Sequence, residues 1–185
     1  MIKTSMKVVS ALALVAMVSG CVVTASAPNE NAVVFDEETQ QFEVNTTLSN
    51  SVEVGDVSGF AGTSKFMFSG RLSSNMSNDS FRSALEESLA NTNYLGQGYV
   101  LDVELLDSND WGNFSLSLGN RNRNILVNMT LTDSQGNAVI DKEVEGEGDM
   151  TNYNPLAPFH VLDRVASTRS HKDLIEKIIQ ELNDF

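Results

Sequence analysis

The sequence predicts an α+β fold: a two-layer sandwich in which a mainly antiparallel sheet carries two helices packed on one face. Three observations predict it. Tyr99, Leu101, Val103 and Leu105 alternate with Asp102 and Glu104, as a strand with one apolar side requires. Ile125, Val127, Met129 and Leu131 alternate in the same way with Asn128, Thr130 and Thr132. Two other stretches, around Phe81–Leu89 and at the C-terminus, repeat apolar residues at helical spacing instead. One-sided strands and amphipathic helices satisfy each other by burying their apolar faces together, which leaves the second side of the sheet to water.

The elements follow in order. Residues 1–20 read as a signal peptide: Lys3 and Lys7 are followed by Val8–Val18, apolar except for Ser10 and too short to cross a bilayer as a helix. Residues 21–31 contain small and polar side chains (Thr24, Ala25, Ser26, Ala27, Pro28, Asn29) and read as a flexible tether, at most about 35 Å long when extended. Residues 32–185 form a single domain, expected to be weakly structured over 32–63. There Ala32–Phe35, Gln41–Leu48 and Val52–Val57 have strand-like composition without clean alternation.

A short apolar strand is expected at Lys65–Phe68. A helix follows, with Asn78 or Asp79 as its N-cap, Phe81, Ala84, Leu85 and Leu89 on its inner face, and Asn91-Thr92-Asn93 at its end. After the two clear strands, the turn Asp133–Asn137 leads into a third, Ala138 to about Glu147, whose inner face would hold Ala138, Ile140 and Val144. Lys142 falls on that same side, which places the strand near an edge. In the C-terminal segment Val161, Leu162, Val165 and Ala166 begin an apolar stripe that lapses at Arg169 and Lys172. It resumes with Leu174, Ile175, Ile178, Ile179 and Leu182. Ser170 and Asp173 match a capping box, so a break near Ser170 is expected.

The formal charge is −13, and the signal region removes two lysines and no acids, so the exported chain is more acidic still. Such a surface argues against nucleic acid and against flat docking on anionic headgroups. Cys21 is the single cysteine, which rules out an internal disulfide framework. Val18-Ser19-Gly20-Cys21 resembles the bacterial lipobox, in which the cysteine is acylated and becomes the mature N-terminus; an ordinary signal peptide cut after Ala25 or Ala27 is the alternative. The resemblance implies attachment of palmitate-type chains at Cys21, enough in number for a stable membrane anchor. Val22, rather than aspartate, after the cysteine implies sorting to the outer membrane, with the domain facing the periplasm.

Candidate chemistry is sparse. His160 and His171 have no spacing that fits a zinc motif, and no G-x-S-x-G elbow marks a nucleophile. Asp107–Gly112 opens like a calcium loop, but Trp111 stands at its fifth position and Leu118 at its twelfth, where a glutamate is needed. No cofactor or metal is called for, and a non-enzymatic binding role is expected. Asp141, Glu143, Glu145, Glu147 and Asp149 alternate and would line one face of a strand, either as a solvated surface or as a site for a cation or basic partner. Asn120–Asn124 places Arg121 and Arg123 in an amide-rich loop suited to phosphate or carboxylate. Trp111, with Phe114, Leu116 and Leu118, is either core or an exposed apolar strip. Arg121, Arg123 and Trp111 are therefore the candidate contacts for an envelope protein or a lipid headgroup.

From Phe66 to Leu182 the order of elements resembles that of small uncharacterised envelope lipoproteins of Gram-negative bacteria. The resemblance is carried by the helix Ser80–Leu89, the strand Tyr99–Val103, Leu131-Thr132-Asp133 with Gly136 in the turn, and the closing helix Leu174–Leu182. More distantly the chain is similar to YajG-like lipoproteins and to the β-α-β-β-β-α layout of LptE. The resemblance implies an assembly or adaptor role in the envelope. A lipid carrier, or a hydrolase or transferase without a recognisable motif, stands as the alternative.

Overall fold

A computed structural model of the chain describes residues 32–34, 45–63, 74–108, 123–149 and 159–185, the side chains of Thr63, Ser74, Phe159 and His160 excepted. The signal and tether, Cys21, and the strand expected at Lys65–Phe68 lie outside the described residues. The elements are β1 (Val52–Ser58), β2 (Ala61–Thr63), β3 (Ser74–Ser77), α1 (Asn78–Asn91), β4 (Tyr99–Ser108), β5 (Arg123–Thr132), β6 (Ala138–Gly148) and α2 (Phe159–Asn183). Four strands form one sheet in the order β1-β4-β5-β6, while β2 and β3 form a small separate ladder. The fold is α+β, with both helices packed on one side of the four-stranded sheet.

The alternation of β4 and β5 does what its period requires. Leu101 and Val103 on β4, and Ile125, Val127, Met129 and Leu131 on β5, are buried on the helix side. β4 pairs antiparallel with β5, and β5 with β6. The edge strand β1 runs parallel to β4, with a register shift between Val54 and Val57. Parallel neighbours need a crossover, and the chain makes it through β2, β3 and α1. Turn chemistry closes the β5–β6 hairpin: the Asp133 carboxylate accepts from the backbone N–H groups of Gln135 and Asn137, and Gly136 takes φ +84°.

α1 begins one residue earlier than the sequence suggests. Ser77 is its N-cap, its hydroxyl accepting from Ser80 N–H, while Asn78 turns its amide oxygen to Phe60 N–H. The inner face of α1 is as expected, with Phe81, Ala84, Leu85 and Leu89 buried. Phe81 stacks on Phe60, the ring centroids 4.3 Å apart. Tyr94, just after the helix, is buried, and its hydroxyl accepts from Asn45 N–H and donates to Asn183 Oδ1. It joins the segment before β1, the α1–β4 connection and the end of α2.

α2 departs from expectation in two ways. It is continuous through Ser170, whose hydroxyl donates to the Ser167 carbonyl instead of capping a new helix. Its buried face, moreover, is not the one that Val161, Leu162 and Val165 mark; these are only partly covered. The buried positions are Asp163, Ala166, Ser167, Ser170 and His171, followed by Leu174, Ile175, Ile178, Ile179 and Leu182. This is one stripe in constant helical phase, polar in its first half and aliphatic in its second.

Glycines on β6 explain the small residues of that first half. Gly146 and Gly148 point at the helix, and a Cβ on Gly148 would lie 2.0 Å from the Ala166 carbonyl oxygen and 2.5 Å from Ser170 N. Backbone therefore rests almost on backbone. Ala138, expected inside, is exposed because the register shifts where β6 begins. Lys142 lies on the helix side at the sheet edge and pairs with Glu181 of α2.

Because the obstructing atoms belong to helix backbone, Gly148→Ala should destabilise the protein by about 1–3 kcal/mol. Val139→Ala, at an exposed position of the same strand, should stay within about 0.5 kcal/mol. Chemical denaturation of both variants checks the contrast.

Candidate binding surface and buried polar core

The residues singled out in the sequence divide sharply. Cys21, Trp111 and Arg121 lie outside the described residues. Arg123 is described, and it is not at the surface. As the first residue of β5 it shares the inward parity of Ile125, and its side chain is fully buried on the helix side. Its guanidinium donates to Asp163 Oδ1 of α2 at 2.8 Å and to Asn75 Oδ1 of β3 at 2.6 Å. Asn75 in turn donates to Ser108 Oγ at the end of β4. The group expected to meet a partner is thus committed to an internal ion pair, because strand parity sets the direction of its side chain. Burying the charge is tolerable only because a buried carboxylate and an amide oxygen meet it.

His171 lies in the same core, fully buried. Its Nδ1 is 2.7 Å from the Ser167 carbonyl oxygen, to which it donates, so Nε2 is the acceptor and faces Met76 N–H at 3.4 Å. The rings of Phe60 and Phe81 stand nearby, each centroid 6.2 Å from the imidazole. Burial, assisted by the charge of Arg123 and opposed by the Ser167 carbonyl, lowers its pKa to about 4. The ring is neutral at physiological pH. Asp163, Ser167 and His171 recur at intervals of four on one helix, but they do not make a relay. The Ser167 hydroxyl is 3.4 Å from a ring nitrogen already bonded to a carbonyl, the Asp163 carboxylate holds Arg123, and all three are buried.

The other side of the sheet is covered by no described element. Sequence parity places Asp102 and Glu104 of β4 there, with Asp141, Glu143, Glu145 and Glu147 of β6. Between these two acidic rows runs the outer face of β5: Asn124, Leu126, Asn128, Thr130 and Thr132. Strand spacing sets the rows about 10 Å apart. The amides of the middle strand reach sideways, Asn124 donating to Glu145 and Asn128 to Asp141. Beyond β4, the register shift of β1 opens a depression of about 190 Å³, lined by Asp56, Ser58, Asp102, Glu104, Asn128 and Thr130. Val100 and Leu106 are exposed on β4.

Cations are kept off this side. Every described lysine and arginine lies on a helix or on the helix side of the sheet. There Lys142 meets Glu181, Lys177 meets Asp173, and Arg169 meets Asp149. The acidic row of β6 was visible in the sequence. The parallel row on β4 was visible only as the polar side of an apolar alternation. Among the described residues no group of His, Cys, Asp and Glu is arranged to hold a metal ion, and no helix is long and apolar enough to cross a membrane.

The polar core has measurable consequences. Asp163→Asn leaves the Arg123 charge buried without its counter-ion and should cost about 3–5 kcal/mol. The double replacement Arg123→Met/Asp163→Leu removes both charges and should recover most of that loss in the same denaturation experiment. The pH dependence has a definite sign. With its folded pKa below the unfolded value, His171 contributes stability that is fully present above about pH 6.5 and is lost as pH falls toward 4, about 3 kcal/mol in all and about 2 kcal/mol by pH 5. His171→Gln should flatten stability between pH 6.5 and 5, a window above the ordinary carboxylate range.

No protein-family model matches the chain, and no curated protein matches it. Among solved structures it is similar to a protein from Caulobacter crescentus provisionally named a lipoprotein. The similarity has 17% identity and a TM-score of 0.41, and it covers 75% of this chain and 92% of that one.

Proposed function

We propose that this protein is a lipid-anchored component of the bacterial cell envelope, held at the outer membrane through Cys21 and facing the periplasm, where it binds another envelope component without chemical turnover. The anchor rests on the signal pattern and on Val18-Ser19-Gly20-Cys21. The binding role rests on one observation: a four-stranded sheet with helices on one side and, on the other, an acidic face that no described element covers. The described residues that follow the tether in sequence, 32–34, lie against α1. Val34 N–H donates to Ser88 Oγ of α1, and Asn91 of the same helix donates to the Val34 carbonyl. A domain suspended from that side presents its open face elsewhere than at the point of attachment.

A binding role accounts for the arrangement better than the alternatives. A lipid carrier needs an apolar cavity between sheet and helices, and that space holds Phe81, Leu85, Leu89, Leu174, Ile175 and Ile178, all fully buried. A hydrolase or transferase built on His171 would need that ring near solvent beside an available nucleophile, and it is buried with Nδ1 committed to the Ser167 carbonyl; the side chain of His160 lies outside the described residues.

Cys21→Ser should release the protein from the membrane fraction into the soluble periplasmic fraction, read by cell fractionation. The lipidated, C-terminally tagged protein, isolated from detergent-solubilised cells, should bring down an envelope partner identified by mass spectrometry. A clean isolation without protein or lipid partner contradicts the adaptor role, and membrane retention of Cys21→Ser contradicts the anchor.

A further inference from the structure

We infer that the open sheet face docks a cationic, extended polypeptide segment of its partner, laid along β5 between the acidic rows of β4 and β6. The inference rests on the adaptor role proposed above and names the chemistry of its partner. Its first support is charge complementarity. Asp102, Glu104, Asp141, Glu143, Glu145 and Glu147 face outward with no lysine or arginine on that side among the described residues, although lysines and arginines pair with acids elsewhere on the molecule. A second support is shape. The strip between the rows is neutral, made of Asn124, Leu126, Asn128 and Thr130, and rows about 10 Å apart leave room for one extended chain whose side chains alternate to either side. The third is the depression beyond β4, where Asp56, Asp102 and Glu104 surround a space into which one lysine or arginine side chain can insert, beside exposed Val100.

Other occupants fit less well. A second copy would bring one acidic face against another in a chain of net charge −13. An anionic headgroup is repelled for the same reason. A neutral partner would bury the carboxylate charges against amides and a backbone N–H alone, with no counter-charge to meet them. A basic segment supplies the counter-charge on both sides, and its contacts strengthen as water leaves the face.

The test uses the mature lipidated protein in neutral detergent micelles and a fluorescent peptide of alternating lysine and threonine, with a glutamate-threonine peptide as control. Anisotropy should report binding of the lysine peptide alone, weakening by roughly tenfold from low to moderate salt. Asp102→Asn/Glu104→Gln and Glu143→Gln/Glu145→Gln, each neutralising one row, should each weaken binding by roughly tenfold. These replacements lie on the outer face and lower its repulsion; the amide oxygen that Asp102→Asn introduces can accept from Asp56 N–H as the Asp102 carboxylate does, and thermal melting confirms that each variant is folded. No binding at low salt overturns the inference, as does unchanged affinity in both variants. Displacement of the peptide by magnesium or spermine at matched charge also overturns it, because that marks diffuse counter-ion attraction. If a cellular partner stays bound to both row variants, the adaptor role stands and this docking surface falls. If the peptide binds as described but no cellular partner is recovered, the surface stands and the adaptor role falls.

Discussion

The Arg123–Asp163 pair sits where β3, β5 and α2 meet, and the organisation of the helix layer follows from it. An arginine pointing into the core requires a carboxylate at a fixed place on the helix above, so α2 must present Asp163 inward. Helical geometry then dictates that Ala166, Ser167, Ser170 and His171 also face the sheet. These residues are small or polar, and large strand side chains could not reach them without leaving voids or unmet polar groups. β6 answers with Gly146 and Gly148, which bring the helix backbone down onto the strand. The second half of the helix, free of that constraint, packs through Leu174, Ile175, Ile178, Ile179 and Leu182. One end of the helix–sheet interface is thus specified by polar pairing and the other by apolar area. The polar end contributes register more than net stability, since charge burial offsets much of the attraction.

The strands of this fold were easy to read and the C-terminal helix was not, for physical reasons. β4 and β5 have a buried side and a wet side, so hydrophobicity tracks burial residue by residue. In α2 that link breaks over residues 161–171, where the apolar Val161, Leu162 and Val165 are only partly covered and polar Asp163, Ser167 and His171 are buried. A hydrophobic count therefore chooses the wrong face. Carrying the phase of the strong stripe backward from Leu174 would have found the right one, since 171, 170, 167, 166 and 163 follow at the same spacing. The same logic applies to Arg123: extending the inward parity of Ile125 by two residues places it in the core. Helix continuity at Ser170 was obscured because a capping box and a small-residue contact look alike in one dimension. The parallel direction of β1 has no local signal at all, being a property of the crossover through β2, β3 and α1. Sequence reasoning found the outward acidic row on β6 and placed Arg123 in a polar loop, whereas it is buried at the start of β5.

Two acidic rows on one face carry a repulsive cost that the spacing keeps small. Like charges directly opposite on neighbouring strands would destabilise the sheet. Here β5 separates the rows and opposes them with amides and hydroxyls, and Asn124 and Asn128 hold carboxylates of β6 toward the middle. At about 10 Å, beyond the physiological screening length of about 8 Å, the rows barely interact through salt water. Removal of that water changes the balance. A surface pressed onto the face lowers the local dielectric, so each carboxylate loses hydration and feels its neighbours more strongly. Only a partner that brings cations to both rows offsets this. The spacing that makes the face inexpensive while solvated therefore makes it discriminating when covered, because the penalty for an uncharged or acidic surface appears only upon contact. Placing the described cations on the helix side, where Arg123, Lys142, Arg169 and Lys177 each meet an acid, keeps them from neutralising the face from within.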